Sequence, residues 1–348
     1  MLASPGTLAP TPDWRDDLRA ARLPVAAFLA AIGLDAASLP YGLDIAPDFA
    51  VMVPPHFRGL IERGNPHDPL LLQVLARADE RLEDASLRTD PLDEAQFTPQ
   101  RGIVRKYGNR ALLLTTGACA IHCRYCFRRH TDYGAMALPA GDHAAAIAAI
   151  AADPAIIEVI LSGGDPLTLS DDRLTALLTA LAAISHVAMI RIHTRTLTAV
   201  PARLTAELTA VLAGLGKPVV IVTHTNHARE IDPVVAAMLA QARTTGVTLL
   251  NQSVLLRGIN DSVAAIAAHA MRLFDCGVLP YYMHLLDPVV GAGHFAVPHA
   301  AAMALEQALR DTLPGYLVPR FVREVPGKLA KTPAWQVGDP DMSLSSRA

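Results

Sequence analysis

Short runs of β-branched and aliphatic residues recur along this chain at a nearly constant interval, and that interval limits the fold more than any other feature. The runs centre on Leu112, Val159, Ile190, Val220, Asn251 and Tyr282, with separations of 47, 31, 30, 31 and 31 residues. About 30 residues is what one strand and its returning helix require. Each run is followed by a polar turn and a segment of helical period, and several of these segments open on a start signal. Asp171 and Asp172 precede 173–184, Pro201 precedes 202–212, Asp232 and Pro233 precede 234–243, and Asp261 and Ser262 precede 264–274. Six βα units follow, with parallel strands, right-handed crossovers and a sheet buried on both faces. Six units are too few to close as an eight-stranded barrel does, so the predicted fold is α/β, an open partial (βα)6 barrel.

Residues 1–100 lack this rhythm. They read as a helical N-terminal extension packed on the barrel, with helices over 14–22, 25–32, 55–63 and 70–82 separated by turns that contain Pro and Gly. The barrel core then covers 101–337, and Asp339, Pro340, Ser343, Ser345 and Ser346 mark 338–348 as a frayed tail. With 51% hydrophobic and 18% charged residues and a formal net charge of −3, the composition is that of an ordinary globular protein, and nucleic acid is not favoured as a partner. The longest central apolar run, Ala144 to Ala152, is nine residues, well short of the ~20 that a membrane span needs. The N-terminus, with Pro5, Pro10 and Pro12 and then Asp13, Arg15, Asp16 and Asp17, lacks the basic-then-apolar order of a secretory signal, so a cytoplasmic location is expected.

The first separation exceeds the others by about 16 residues, and the excess holds three of the four cysteines. It lies in the loop after the first strand, where parallel βα folds build their active sites. Cys119, Cys123 and Cys126 have the spacing C-x3-C-x2-C, which lets three thiolates of one loop meet one face of a cuboidal iron–sulfur cluster. Such clusters normally take four cysteines, so one iron would keep an open position. Structural zinc wants four closed ligands, usually from paired C-x2-C halves. A plain electron-transfer cluster, and with it a non-catalytic electron carrier, is the other alternative. His122 inside the motif reads as solvated or backbone-bonded, and Cys276 as a small buried hydrophobe on a helix. After the second strand, Ser162, Gly163, Gly164, Asp165 and Pro166 supply a glycine pair that either lets the backbone approach a ligand or forms a strand-to-helix turn.

The cysteine spacing and the glycine pair resemble those of radical S-adenosylmethionine (SAM) enzymes. Nearly the whole chain resembles the lysine 2,3-aminomutase family, and within it the branch that supplies (R)-β-lysine for elongation factor P. The strings that carry this are Gly64 to Leu71, Lys106 to Leu114, Cys119 to His130, Asn251 to Arg257, Pro280 to Tyr282, Gly293 to Phe295 and Lys331 to Pro333. The resemblance implies a radical SAM barrel with a [4Fe–4S] cluster on Cys119, Cys123 and Cys126 and SAM on the open iron. Gly163, Gly164 and Asp165 would lie at the SAM amino group. His224, Asn226 and Gln252 would add contacts, or else satisfy backbone groups at strand ends.

It also implies pyridoxal 5′-phosphate (PLP), held covalently by a lysine near the C-terminus, because only a primary amine condenses with its aldehyde. The chain has four lysines, and Lys331 matches that position. Lys328 is its close rival, and Lys217 reads as the end of a helix. Lys106 and Arg110 resemble the phosphate clamp, with lysine where the free-lysine mutases carry arginine. Arg128 matches the partner of the substrate carboxylate, and Asp287 and Glu324 the partners of the side-chain ammonium. The last is Asp in the free-lysine branch and Glu in the elongation factor P branch. Pro326 to Ala330 stands where longer relatives have a Gly-rich run, and the zinc-binding cysteines beyond it are missing, which again matches the shorter branch. The implied reaction is isomerisation of L-lysine to (R)-β-lysine by 2,3-migration of the amino group, with a functional link to an elongation factor P lysyl ligase. Supply of free β-lysine for metabolism is the alternative. A homo-oligomer is compatible with either.

Overall fold

The computed structural model describes residues 13–138 and 143–337. The start of the proline-containing N-terminus and the expected tail over 338–348 lie outside the described residues. Nine strands form one sheet in sequence order: β1 (Ile103–Tyr107), β2 (Arg110–Thr116), β3 (Glu158–Gly163), β4 (Met189–Thr194), β5 (Val219–Thr223), β6 (Thr248–Leu255), β7 (Leu279–Leu285), β8 (Arg320–Arg323) and β9 (Thr332–Pro333). β2 to β8 run parallel. β1 pairs antiparallel with β2, and β9 antiparallel with β8, so these two are the borders of an open sheet. The six expected strands are all present. The seventh parallel strand, β8, is too short for its alternation to register in the sequence.

Side-chain alternation sorts the strands into two faces. Val159, Leu161, Ile190, Ile192, Val219 and Ile221 point outward into one buried cluster with Leu174, Leu177, Leu181, Leu208, Val235 and Leu239 of the surrounding helices. Each such side chain contributes about 1.5–3 kcal/mol through its removal from water. Their neighbours Ile160, Ser162, Arg191 and His193 point inward and line a chamber.

The outer helices include Asp171–Ala182, Ala206–Gly214, Pro233–Arg243, Val263–Asp275 and His299–Thr312. Asp232 and Ser262 cap theirs as expected, accepting from the amides of Val235 at 2.9 Å and Ala265 at 3.2 Å. Pro201 does not open the helix expected over 202–212. It begins a single 3-10 turn, and the helix starts only where the Thr205 hydroxyl can accept from the Leu208 amide at 3.0 Å. Cys276 caps the end of Val263–Asp275 and is buried in the outer cluster.

In the extension, Trp14–Ala20, Val25–Ala31 and Pro55–Leu60 are helical. The helix expected over 70–82 is confined to Pro69–Leu72, followed by a turn over 73–75 and a 3-10 turn at Ala78–Arg81. Leu70 to Ala76 are all buried, so the apolar run there reflects burial on every side and not one helical face. Phe28, Phe57, Leu71 and Leu75 form a second core that takes in Ala120 and Ile121, between the first two motif cysteines. Among the described residues no helix is long and apolar enough to cross a membrane.

Candidate active site

The cysteine loop leaves the end of β2 and is held from outside by the extension. The His122 amide donates to the Met52 carbonyl at 3.0 Å, and its ring Nδ1 lies 2.7 Å from the Ala50 carbonyl, so this histidine is bonded to backbone. The Arg124 amide donates to the Gln73 carbonyl at 2.9 Å. Its guanidinium is fully buried on Glu80, which also receives Arg129. These contacts fix the loop before any ligand is considered.

From inside, the loop is locked by the glycine pair. The Gly164 and Asp165 amides each donate at 2.7 Å, to the Thr116 and Ala118 carbonyls. Gly163 has φ +117, and a Cβ there would lie 2.5 Å from the Thr116 oxygen. One on Gly164 would lie 2.1 Å from the Ala118 oxygen. Close approach is therefore required, as the sequence suggests, but the crowding partner is the backbone of the cysteine loop. Asp165 accepts from Thr194 at 2.9 Å, from the Arg195 amide at 2.7 Å and from the Thr196 amide at 2.9 Å. It ties β3 to β4 and, like Gly163, Gly164 and Cys119, does not line the chamber.

The chamber has a volume of about 310 Å³. It brings together Cys123, Cys126, Arg128, Lys106, Arg110, His224, Asn226, Gln252, Asp287, Glu324 and Lys331. Lys328 is exposed outside it, and Lys217 donates to the Ile184 and Val187 carbonyls elsewhere. Lys331 Nζ donates to Glu324 at 2.7 Å, and the Tyr107 hydroxyl donates to the other oxygen of the same carboxylate. Arg110 lies 3.9 Å from Glu158 and over the Tyr107 ring. The Asn226 side chain is taken up by structure: it donates to Gln73 at 2.9 Å and Tyr125 at 2.6 Å and accepts from the Val254 amide at 2.8 Å. Sequence reading missed Glu94, Tyr107, Arg191, His193 and His284 in these walls.

Several of these groups lack partners of their own. The Nε2 atoms of His193, His224 and His284 and Oδ1 of Asp287 are buried with no hydrogen bond. Buried polar atoms are normally satisfied, so this set fits a ligand that completes them. Burial pushes the Asp287 carboxyl up to about 7, against the attraction of Lys331, which suits a cationic ligand group. Burial holds His224 down to about 3 and His193 and His284 well below the ordinary value, so these rings are neutral donors or acceptors.

Burial and then the neighbouring Cys123 push the Cys126 thiol up to about 11, and Cys119 is raised well above its usual value for the same first reason. Thiols buried side by side resist ionisation unless a metal supplies positive charge, and the iron of a cluster does so. Among the described residues no three His, Cys, Asp or Glu side chains are grouped to hold one metal ion, the grouping a lone zinc would require.

The sequence profile of the Radical SAM superfamily matches residues 113–263, the stretch from β2 past β6 that contains all three motif cysteines. Fold and site together thus define a radical SAM protein. L-lysine 2,3-aminomutase of Escherichia coli (strain K12) is 46% identical over 285 residues, covering 82% of this chain and 83% of that one. The protein of the same name from Haemophilus influenzae is 43% identical over 284 residues, covering 82% of this chain and 84% of that one. That of Clostridium subterminale is 36% identical over 282 residues, covering 81% of this chain and 68% of that one. The chain belongs to the L-lysine 2,3-aminomutase family.

Proposed function

We propose that this protein isomerises L-lysine to (R)-β-lysine, using a [4Fe–4S] cluster, SAM and PLP, and that the product serves modification of elongation factor P through a partner lysyl ligase. The observation that carries this is a single chamber lined both by Cys123 and Cys126 and by Lys331. A thiolate set for a radical-generating cluster and a primary amine able to hold an aldehyde cofactor have no common purpose in an electron carrier. When bound, the cluster and SAM supply the initiating radical, and PLP supplies the conjugated system over which nitrogen moves between carbons.

The chain's own residues would hold the substrate at both ends. Arg128 presents a guanidinium to the α-carboxylate. Asp287 and Glu324 receive the side-chain ammonium, and a buried ammonium needs such partners. Lys106 and Arg110 supply cationic charge for the cofactor phosphate, on adjacent strands β1 and β2. Cys119 completes the thiolate trio, with Gly163, Gly164 and Asp165 shaping the loop beside it. His224 and Gln252, both in the chamber wall, are the residues we assign to SAM. Val104, Leu112, Ile160, Val254 and Leu286 add apolar wall that keeps bulk water from reactive radicals. Glu324, where the free-lysine branch carries Asp, supports the elongation factor P assignment. A cytoplasmic enzyme, alone or as a homo-oligomer, is consistent with that role.

The test is anaerobic reconstitution of the full chain with iron, sulfide and PLP, followed by SAM, dithionite and L-lysine, with chiral analysis of the product. (R)-β-lysine that the ligase accepts supports the reading. β-Lysine that the ligase refuses redirects it to free β-lysine metabolism. Rearrangement of another amino acid with lysine untouched removes the roles given to Asp287 and Glu324.

A further inference from the structure

A buried polar network surrounds Arg195, the residue after β4, which is 4% exposed. Its Nη1 donates to Cys123 Sγ at 2.8 Å and also to the Tyr125 hydroxyl. Its Nη2 donates to Gln73 Oε1 at 2.8 Å and to Glu230 Oε2 at 3.0 Å. The other Glu230 oxygen accepts from the Asn226 amide at 2.8 Å and from Gln73 Nε2 at 3.2 Å. The Arg195 amide is fixed on Asp165, and its guanidinium lies over the Phe57 ring at 5.3 Å. The side chain is thus held by four separate segments with one nitrogen aimed at a cysteine sulfur.

We propose that Arg195 is a positioning residue that sets the reduction potential of the cluster through its hydrogen bond to Cys123. The proposal rests on the assignment of the cluster to Cys123. Reduction adds one electron to the cluster and makes its sulfurs more negative. A donor and a positive charge fixed against one of those sulfurs stabilise the reduced form and raise the potential. Glu230 balances the guanidinium from its Nη2 side, which lets the charge be buried, while Nη1 stays on the sulfur. Gln73 belongs to the extension, so that part of the chain helps to hold the guanidinium in place.

The experiment is a dithionite titration followed by electron paramagnetic resonance on the full chain reconstituted with iron, sulfide and PLP. Wild type, Arg195→Met, Arg195→Lys and Cys123→Ala are compared, with iron and sulfide assayed in each. Arg195→Met should keep its iron and show a midpoint shifted to more negative potential, with a smaller shift of the same sign in Arg195→Lys. A midpoint unchanged in Arg195→Met at full iron content overturns the proposal. Should Arg195→Met lose its iron, Arg195→Lys carries the test, and an unchanged midpoint there overturns it. Cys123→Ala should lose the cluster. If it instead retains a cluster that cleaves SAM, the ligand assignment itself fails, an outcome distinct from a failure of the Arg195 role.

Discussion

Glu94 grips Arg128 with both carboxylate oxygens inside the chamber wall, Nε to Oε2 at 2.6 Å and Nη2 to Oε1 at 2.8 Å. Lys106 approaches the same carboxylate at 3.5 Å. Burial opposes ionisation of Glu94, but Arg128 and Lys106 outweigh it and hold the carboxyl below its usual range. Asp93, immediately before, has φ 51, and among the described residues no other non-glycine residue has a positive φ. That conformation is uncommon outside glycine, so the chain accepts local strain where it delivers Glu94. One edge of the Arg128 fork is therefore occupied, and Nη1 donates to the Ser162 hydroxyl at 3.1 Å and the Gly163 carbonyl at 3.5 Å.

Glu94→Ala should leave two buried cations without their counter-charge. The expected loss is about 3–5 kcal/mol in urea unfolding, the scale for breaking a buried pair from one side. The KM for lysine should rise because Arg128 loses its aim. Unfolding indistinguishable from wild type would show that Glu94 does not hold the two cations.

Gly164→Ala should fail at cluster assembly. The added methyl meets the Ala118 carbonyl at 2.1 Å, so the cysteine loop must move. Iron and sulfide per chain after reconstitution should fall well below wild type, while far-ultraviolet circular dichroism stays close to it. Gly214→Ala, in a helix with open space at the Cβ position, is the control and should keep full iron.

Asp287 predicts a pH dependence with opposite signs for folding and binding. Its folded value of about 7 lies above the ordinary 3.8, so the folded chain binds the extra proton between these values. The contribution favours the folded state at low pH and is lost as pH rises toward about 7. Lysine binding runs the other way, because the substrate ammonium needs the ionised carboxylate. The KM for lysine should fall as pH rises through about 7 in wild type, and Asp287→Asn should abolish that fall. A wild-type KM flat across this range would remove Asp287 from the ammonium site.

Lys331 and Lys328 are separated by a spectroscopic test. Lys331 Nζ is on Glu324 inside the chamber, and Lys328 is exposed outside it. Lys331→Ala should lose the visible absorbance of lysine-bound PLP, and Lys328→Ala should keep it. The reverse result would exchange their roles.

Much of this was legible because the physics is periodic. A strand followed by a helix costs a fixed length of chain, so the rhythm from Leu112 to Tyr282 located β2 to β7. The three cysteines and Lys331 stood out by spacing and by matching family strings. β8 and β9 escaped because four residues and two residues carry no measurable period. Arg191 and His193 did leave a signal, since polar residues alternating with Ile190 and Ile192 do not suit a sheet face buried in apolar contacts. Glu94 left none, because it stands in a segment without regular pattern and is recruited only when the chain folds back on Arg128. The glycine pair was found as a place of close backbone approach, but sequence spacing cannot say that a Cβ on Gly164 would meet the Ala118 carbonyl at 2.1 Å.

The unclosed sheet has a consequence for how cofactor and scaffold support each other. Lys106 stands on one border strand, and Lys331 directly precedes the other. Between them the Tyr107 hydroxyl on Glu324 already bridges the gap. A molecule gripped through its phosphate by Lys106 and Arg110 and through its aldehyde by Lys331 would act as a rivet across that seam. Amide hydrogens of β1 and β8 should then exchange more slowly once PLP is loaded, so that the catalyst's own prosthetic group finishes the wall of the room in which it works.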